Sequence, residues 1–241
     1  MKTSIYFIFL LFCGLCTSCR SGDSSSCLQS DGNILEQNRV LASFHSVANY
    51  TPANVYITQS NVNPYSVHLV GSMNILNAIR TTIIDGKLRI EQTGCIQNAH
   101  QLDIHINMPN ILGIEVFGAG KIHGENAWFT NALILTTKGA GGIDVDVDAT
   151  HITATIEGSG GIKLYGNSPT IDMESNGSGD FNSYGMYCQT VEAYLTASGD
   201  ARVVASERLK GSIKGSGDLL YRGYPVLEVS DNGSGNVKND N

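Results

Sequence analysis

Beyond its N-terminus the chain contains no apolar run approaching the ~20 residues that a bilayer-spanning helix needs. Basic residues are scarce, with 15 Lys and Arg against 22 Asp and Glu and a formal charge of −7. That balance argues against nucleic acid as a partner and against adsorption to anionic lipid. Catalytic signatures are missing too. The six histidines form no His-Glu-x-x-His pair and no cysteine–histidine spacing. No Gly-x-Ser-x-Gly sits at a strand-to-helix elbow with a candidate base at a fixed offset, and no glycine phrase opens a helix that would cradle phosphate.

What the chain does have is one short phrase, small-small-Gly, seven times over. It stands at Gly118-Ala119-Gly120, Gly139-Ala140-Gly141, Gly158-Ser159-Gly160, Gly177-Ser178-Gly179, Ala197-Ser198-Gly199, Gly215-Ser216-Gly217 and Gly233-Ser234-Gly235. Successive starts lie 21, 19, 19, 20, 18 and 18 residues apart, and a fixed period of about 20 residues means stacked structural repeats. Six residues before each phrase stand Leu112, Leu133, Ile152, Ile171, Val191, Leu209 and Leu227. Two residues after it stand Ile122, Ile143, Ile162, Phe181, Ala201, Leu219 and Val237. Neighbouring positions alternate with period 2, which turns one face of each strand inward. Each repeat therefore reads as strand, tight turn, strand and looser return loop, and the whole as an all-β, single-chain parallel β-solenoid of about seven Gly-x-Gly coils. The glycines supply either positive φ or close backbone approach at each corner. An antiparallel sandwich or barrel explains the strands but not the column-by-column identity.

Residues 1–18 carry one charge, Lys2, and an apolar core from Ile5 to Leu15, the pattern of a secretory signal. Thr17-Ser18 before Cys19 resembles the lipobox of bacterial lipoproteins, although Cys16 occupies the usual Leu position. Cys19 is thus the expected lipidation site, with plain secretion as the alternative. Residues 19–36 would be a flexible tether to the membrane. Loss of Lys2 with the leader makes the chain one unit more acidic. With Cys13 and Cys16 removed and Cys19 acylated, Cys27, Cys95 and Cys188 remain, an odd number that allows at most one disulfide. Cys27 with Cys95 could pin the tether to the body; the alternative is that these are buried small hydrophobes.

Residues 37–108 lack the phrase but are β-rich, and are expected to cap the open end of the coils at 109–241 within one domain, 37–241. Ser72 could N-cap a short helix with Met73, Leu76 and Ile79 on one face. Asp85-Gly86 is a preferred two-residue hairpin turn.

Several stretches resemble a known family. They are Phe44-x-x-Val47, Val55-x-Ile57-x-Gln59, Ile79-x-Thr81, Asp85-Gly86-x-Leu88-x-Ile90 and Leu102-x-Ile104-x-Ile106-x-x-Pro109-x-Ile111, leading into the Gly-x-Gly repeats. Together they are similar to the autotransporter adhesin head, GIN domain family, over about 40–238. The resemblance implies a right-handed β-solenoid and a cell-envelope location, as an outer-membrane lipoprotein on the surface or the periplasmic face. It supplies no catalytic residues.

Two clusters are candidate sites. Directly after the phrase, Asp180, Asp200 and Asp218 would stand roughly 5 Å apart on adjacent coils. Such a ladder could hold Ca²⁺ or provide a carboxylate pair for polysaccharide cleavage. Alternatively, each Asp closes its own turn by a local hydrogen bond. Trp128-Phe129, Tyr165, Tyr184, Tyr187, Tyr221 and Tyr224 fall in the returns. Stacked returns would gather them on one edge, suited to sugar rings or a protein partner, or else they seal the core. The favoured function is a non-enzymatic envelope binding module for glycan or protein. The alternatives are a periplasm-facing structural lipoprotein and, third, a polysaccharide-active enzyme. End-to-end association into a homo-oligomer is compatible with solenoid edges.

Overall fold

The computed structural model describes residues 27–97 and 102–241; the expected signal segment, 1–18, and the expected lipidation site, Cys19, lie outside them. The N-terminal strands are β1 (Ile34–Val40), β2 (Ser46–Asn49), β3 (Asn54–Gln59) and β4 (Ser66–Ser72), followed by helix α1 (Met73–Ala78). Then come β5 (Ile79–Ile84), β6 (Lys87–Gln92), β7 (Asp103–Met108), β8 (Gly113–Val116) and β9 (Ile122–Gly124). The repeats supply β10 (Trp128–Thr137), β11 (Ile143–Ile156), β12 (Ile162–Ser175), β13 (Phe181–Leu195), β14 (Ala201–Val204), β15 (Arg208–Ile213), β16 (Leu219–Arg222), β17 (Val226–Asp231) and β18 (Val237–Asn239).

These strands build a parallel β-solenoid with a ladder on each side of the corner. The ladder before the corner runs β6–β2–β8–β10–β11–β12–β13–β15–β17, every pair parallel. The ladder after it runs β7–β3–β9–β11–β12–β13–β14–β16–β18, also parallel. The middle strands serve both ladders because they run without a break from one corner to the next. The expected loose returns are therefore ladder as well: Trp128 pairs with Val147, Asp148 with Asn167 and Asn167 with Tyr187.

Both apolar columns point inward, with Leu133, Ile152, Ile171, Val191 and Leu209 buried on one wall and Ile122, Ile143, Ile162, Phe181, Ala201 and Leu219 on the other. Two members of the first column depart from this pattern. Leu227 is half-exposed on the last coil, and Leu112 is 44 % exposed while its neighbour Ile111 is fully buried.

The phrase glycines take no positive φ, unlike Gly86, Gly166 or Gly223. Their role is close approach. The N–H of each third residue donates to the carbonyl of the first residue one coil earlier: Gly141 to Gly118 (3.0 Å), Gly160 to Gly139 (3.1 Å), Gly179 to Gly158 (3.2 Å) and Gly217 to Ala197 (3.2 Å). A Cβ on Gly160 would fall inside the van der Waals shell of the Gly141 carbonyl.

The N-terminal half is more than a cap, which corrects the expectation for 37–108. β2 and β3 form a full coil, inserted in space between β6/β7 and β8/β9. Its corner is Thr51-Pro52-Ala53, against which Gly118 and Gly120 pack. Buried Asn49 organises this corner without glycine. Its Oδ1 accepts from the Thr51 N–H (3.0 Å) and hydroxyl (2.7 Å), and its Nδ2 donates to the Ala53 carbonyl (3.0 Å). The cap proper is antiparallel: β1 on β4, β4 on β7 and β5 on β6. It turns the parallel edge into a closed end. Asp85 and Gly86 both have positive φ (51° and 71°), as a two-residue hairpin turn requires. In α1 the buried residues are Ile75, Leu76 and Ala78, whereas Met73 is exposed. Ser72 makes no side-chain cap bond to the helix backbone.

Residues 27–36, expected within the tether, instead pack on the body. Cys27 and Cys95 form a disulfide with a Cα–Cα distance of 4.6 Å. Leu28 bridges to Ile96, with the Leu28 N–H donating to Cys95 O and the Gln97 N–H to Leu28 O, both at 2.8 Å. β1 then begins at Ile34 rather than at 37. Cys188 is a buried free thiol, pushed up to about 12 by burial.

Because the corner leaves no room for a Cβ, Gly160→Ala should lower the unfolding free energy by at least about 2 kcal/mol. Ala140→Ser, at the middle position that accepts both residues, should change it by less than about 0.5 kcal/mol. Urea titration of the two variants checks both, and equal small effects would mean the corner tolerates a side chain.

Candidate binding surface

The aspartate ladder forms, but it is an intercoil clamp. Asp180 Oδ1 accepts from the Asp200 N–H, Asp200 Oδ1 from the Asp218 N–H and Asp218 Oδ1 from the Asn236 N–H, each at 2.9 Å. Each carboxylate therefore satisfies the coil that follows it, not its own turn. The second oxygens carry ion pairs. Arg202 reaches Asp180 (3.5 Å) and Asp200 (3.3 Å), and Lys238 pairs with Asp218. The Lys238 ammonium, followed by the Asn236 N–H, holds the Asp218 carboxyl below the usual range. Among the described residues no group of three acidic, His or Cys side chains is placed to hold a metal ion. Like charges one coil apart repel by roughly 0.8 kcal/mol in water, and here cationic side chains and N–H donors offset that cost.

The aromatic cluster does not gather on one edge. Trp128 is fully buried, with no hydrogen-bond partner for its Nε1 among the described residues, and Tyr221 is also part of the core. Tyr165 lies under Lys163 Nζ, 4.9 Å from the ring centroid. Tyr184 is half-buried beneath the Arg222 guanidinium (4.1 Å), and its hydroxyl donates to Asp240 Oδ2 (2.9 Å). Burial first, then this bond, push its pKa up to about 12. Of the tyrosines in the cluster, Tyr187 (81 %) and Tyr224 (89 %) stand free in solvent. Tyr184 and Tyr165 thus brace coils, and Trp128 and Tyr221 fill them.

The surface aromatic that matters is one residue on from Trp128. Phe129 is 64 % exposed and is held by its backbone: its N–H donates to Gln59 Oε1 (2.6 Å) and its carbonyl accepts from Gln59 Nε2 (3.0 Å). Asn126 fixes the same junction by a reciprocal pair of bonds with the Gln59 backbone (2.9 and 3.0 Å). The ring projects beside displaced Leu112, with His45, Asn110, Asn131 and Asp148 around it, lining a groove of about 640 Å³. That size falls within the range of small-ligand sites. The parity of the strand, buried at 128 and exposed at 129, was the signal in the sequence that could have separated the two aromatics.

With this geometry in view, comparison with known proteins places the chain. The family model "Putative auto-transporter adhesin, head GIN domain" matches residues 43–225. The chain belongs to that family. No curated protein matches it. Among solved structures, a "putative adhesin" from Bacteroides fragilis is similar at 26 % identity and a TM-score of 0.84, covering 88 % of this chain and 99 % of that one. A "putative lipid binding protein" from Parabacteroides distasonis is similar at 17 % identity and TM-score 0.72, covering 90 % and 100 %. A "putative adhesin" from the same species is similar at 19 % and 0.68, covering 89 % and 100 %. The last two share the fold alone.

Since the ladder carboxylates already have protein partners, the melting temperature should be the same in millimolar Ca²⁺ and in EDTA. A rise of several degrees with Ca²⁺ in a thermal melt would restore the ladder as a cation site.

Proposed function

We propose that the chain is a non-enzymatic binding module of the cell envelope, anchored through a lipidated Cys19, that presents the solenoid surface to a glycan. The observation that carries this reading is the groove at Phe129. An exposed aromatic ring held by backbone bonds costs little to order on binding. Its flat face suits the apolar face of a sugar ring. The amides of Asn110 and Asn131 offer both donors and acceptors beside it. The family name and the Bacteroides fragilis neighbour, both labelled adhesin, favour a surface-associated, non-enzymatic role.

Protease shaving of intact cells tests the location: this protein should be cut while a periplasmic control survives. Survival until the outer membrane is breached would leave the periplasm-facing structural role. For the groove, Phe129→Ala should weaken retention on immobilised cell-surface polysaccharide at least tenfold with the melting temperature unchanged. Undiminished retention would place binding elsewhere.

A further inference from the structure

The position directly after the corner follows a rule along the second ladder. A side-chain oxygen there accepts the N–H of the same position one coil on, as with Asn54 to Lys121 (3.3 Å) and with Asp180, Asp200 and Asp218 to their successors. The rule fails on three consecutive coils. Lys121, Gly142 and Gly161 carry no acceptor, so the N–H groups of Gly142, Gly161 and Asp180 have no partner among the described residues. This is also where the surface opens into a recess of about 310 Å³, lined by Lys121, His123, Lys163 and Asn182 beside the bare backbone. Lys121 is exposed and makes no ion pair among the described residues. Of the acids at the rim, Asp180 is committed to the Asp200 N–H and to Arg202, and Asp144 faces Lys163.

We propose that this recess binds a carboxylate-bearing sugar residue, whose oxygens take the places that the missing side-chain acceptors occupy elsewhere in the column. The carboxylate lies against Lys121 and the Gly142 N–H, a charge-assisted contact. The donors are one coil apart, roughly 4.8 Å. A carboxylate is too short to bridge that step, so the same ligand must carry further oxygens about 5 Å away. A ring hydroxyl of the uronate supplies one to the Gly161 N–H, and the next sugar residue of the chain supplies another to the Asp180 N–H, two coil steps from the carboxylate. An acidic peptide has the carboxylate but no oxygen at that spacing on the same rigid unit. The recess also lacks the deep apolar pocket that an anchoring side chain fills.

The proposal rests on the reading of the chain as a glycan-binding module, but its test uses purified protein and does not depend on cellular location. The ¹⁵N-labelled chain is titrated with tetragalacturonate, with its methyl ester, and with tetraglutamate. The amide resonances of Gly142, Gly161 and Asp180 should move together with tetragalacturonate, and the ester should bind at least tenfold more weakly. Lys121→Asn, which places at 121 the residue found at 54, should cap the Gly142 N–H and weaken binding at least tenfold without changing the melting temperature. Amides that stay still, equal affinity for the ester, or tighter binding of tetraglutamate would each overturn the proposal. A result of that kind in a protein that passes cell shaving would discard this site and leave the surface role standing.

Discussion

The fold depends on one short contact, the corner hydrogen bond from the third residue of each phrase to the carbonyl of the first residue one coil below. It sets the vertical spacing of the coils at their tightest bend. Everything else adapts to that spacing. The two wall ladders keep register because each corner fixes where the next strand starts, and the inward columns stack residue on residue for the same reason. A side chain at the third position would lengthen this contact and tilt every coil above it. The sequence can vary freely between corners, and it does: the spacing from phrase to phrase runs from 18 to 21 residues while the corners remain superposed.

This constraint explains what could be read from the amino-acid sequence. Steric need at a stacked corner is the same in every coil, so it leaves a repeating mark, and the parallel solenoid follows from that mark. The β2–β3 coil left none, because its own corner, Thr51-Pro52-Ala53, has no glycine and is built by side-chain hydrogen bonds from Asn49 and Thr51. Its place in space, between strands that come later in the chain, is a matter of tertiary pairing that no local pattern encodes. The displacement of Leu112 was hidden for a related reason. Ile111 and Leu112 are equally apolar, and only the burial of Ile111 beneath the first coil decides which one faces outward.

The candidate sites were legible in composition but not in geometry. The aspartate column was visible, and its residues do stack. What the sequence could not reveal was that each carboxylate reaches the next coil rather than its own turn, since both are consistent with an Asp after a glycine corner. Among the aromatics, distance from the phrase suggested a shared edge, yet inside-outside parity sends Trp128 and Phe129 to opposite sides of one strand. The recess is legible only by exception, once the rule for the column is known from the coils that obey it.

The disulfide at the capped end has a mechanical consequence. A pull on the chain ahead of Cys27 enters the body at Cys27 and Cys95 together, so the load bypasses the loop that the disulfide closes between them. β1, β4 and α1 lie within that shielded loop and cannot be peeled off in sequence. Force passes instead from Cys95 toward β7, whose parallel bonds to β3 join it to the stack. A solenoid held this way meets a pull at its N-terminus with the whole stack rather than strand by strand.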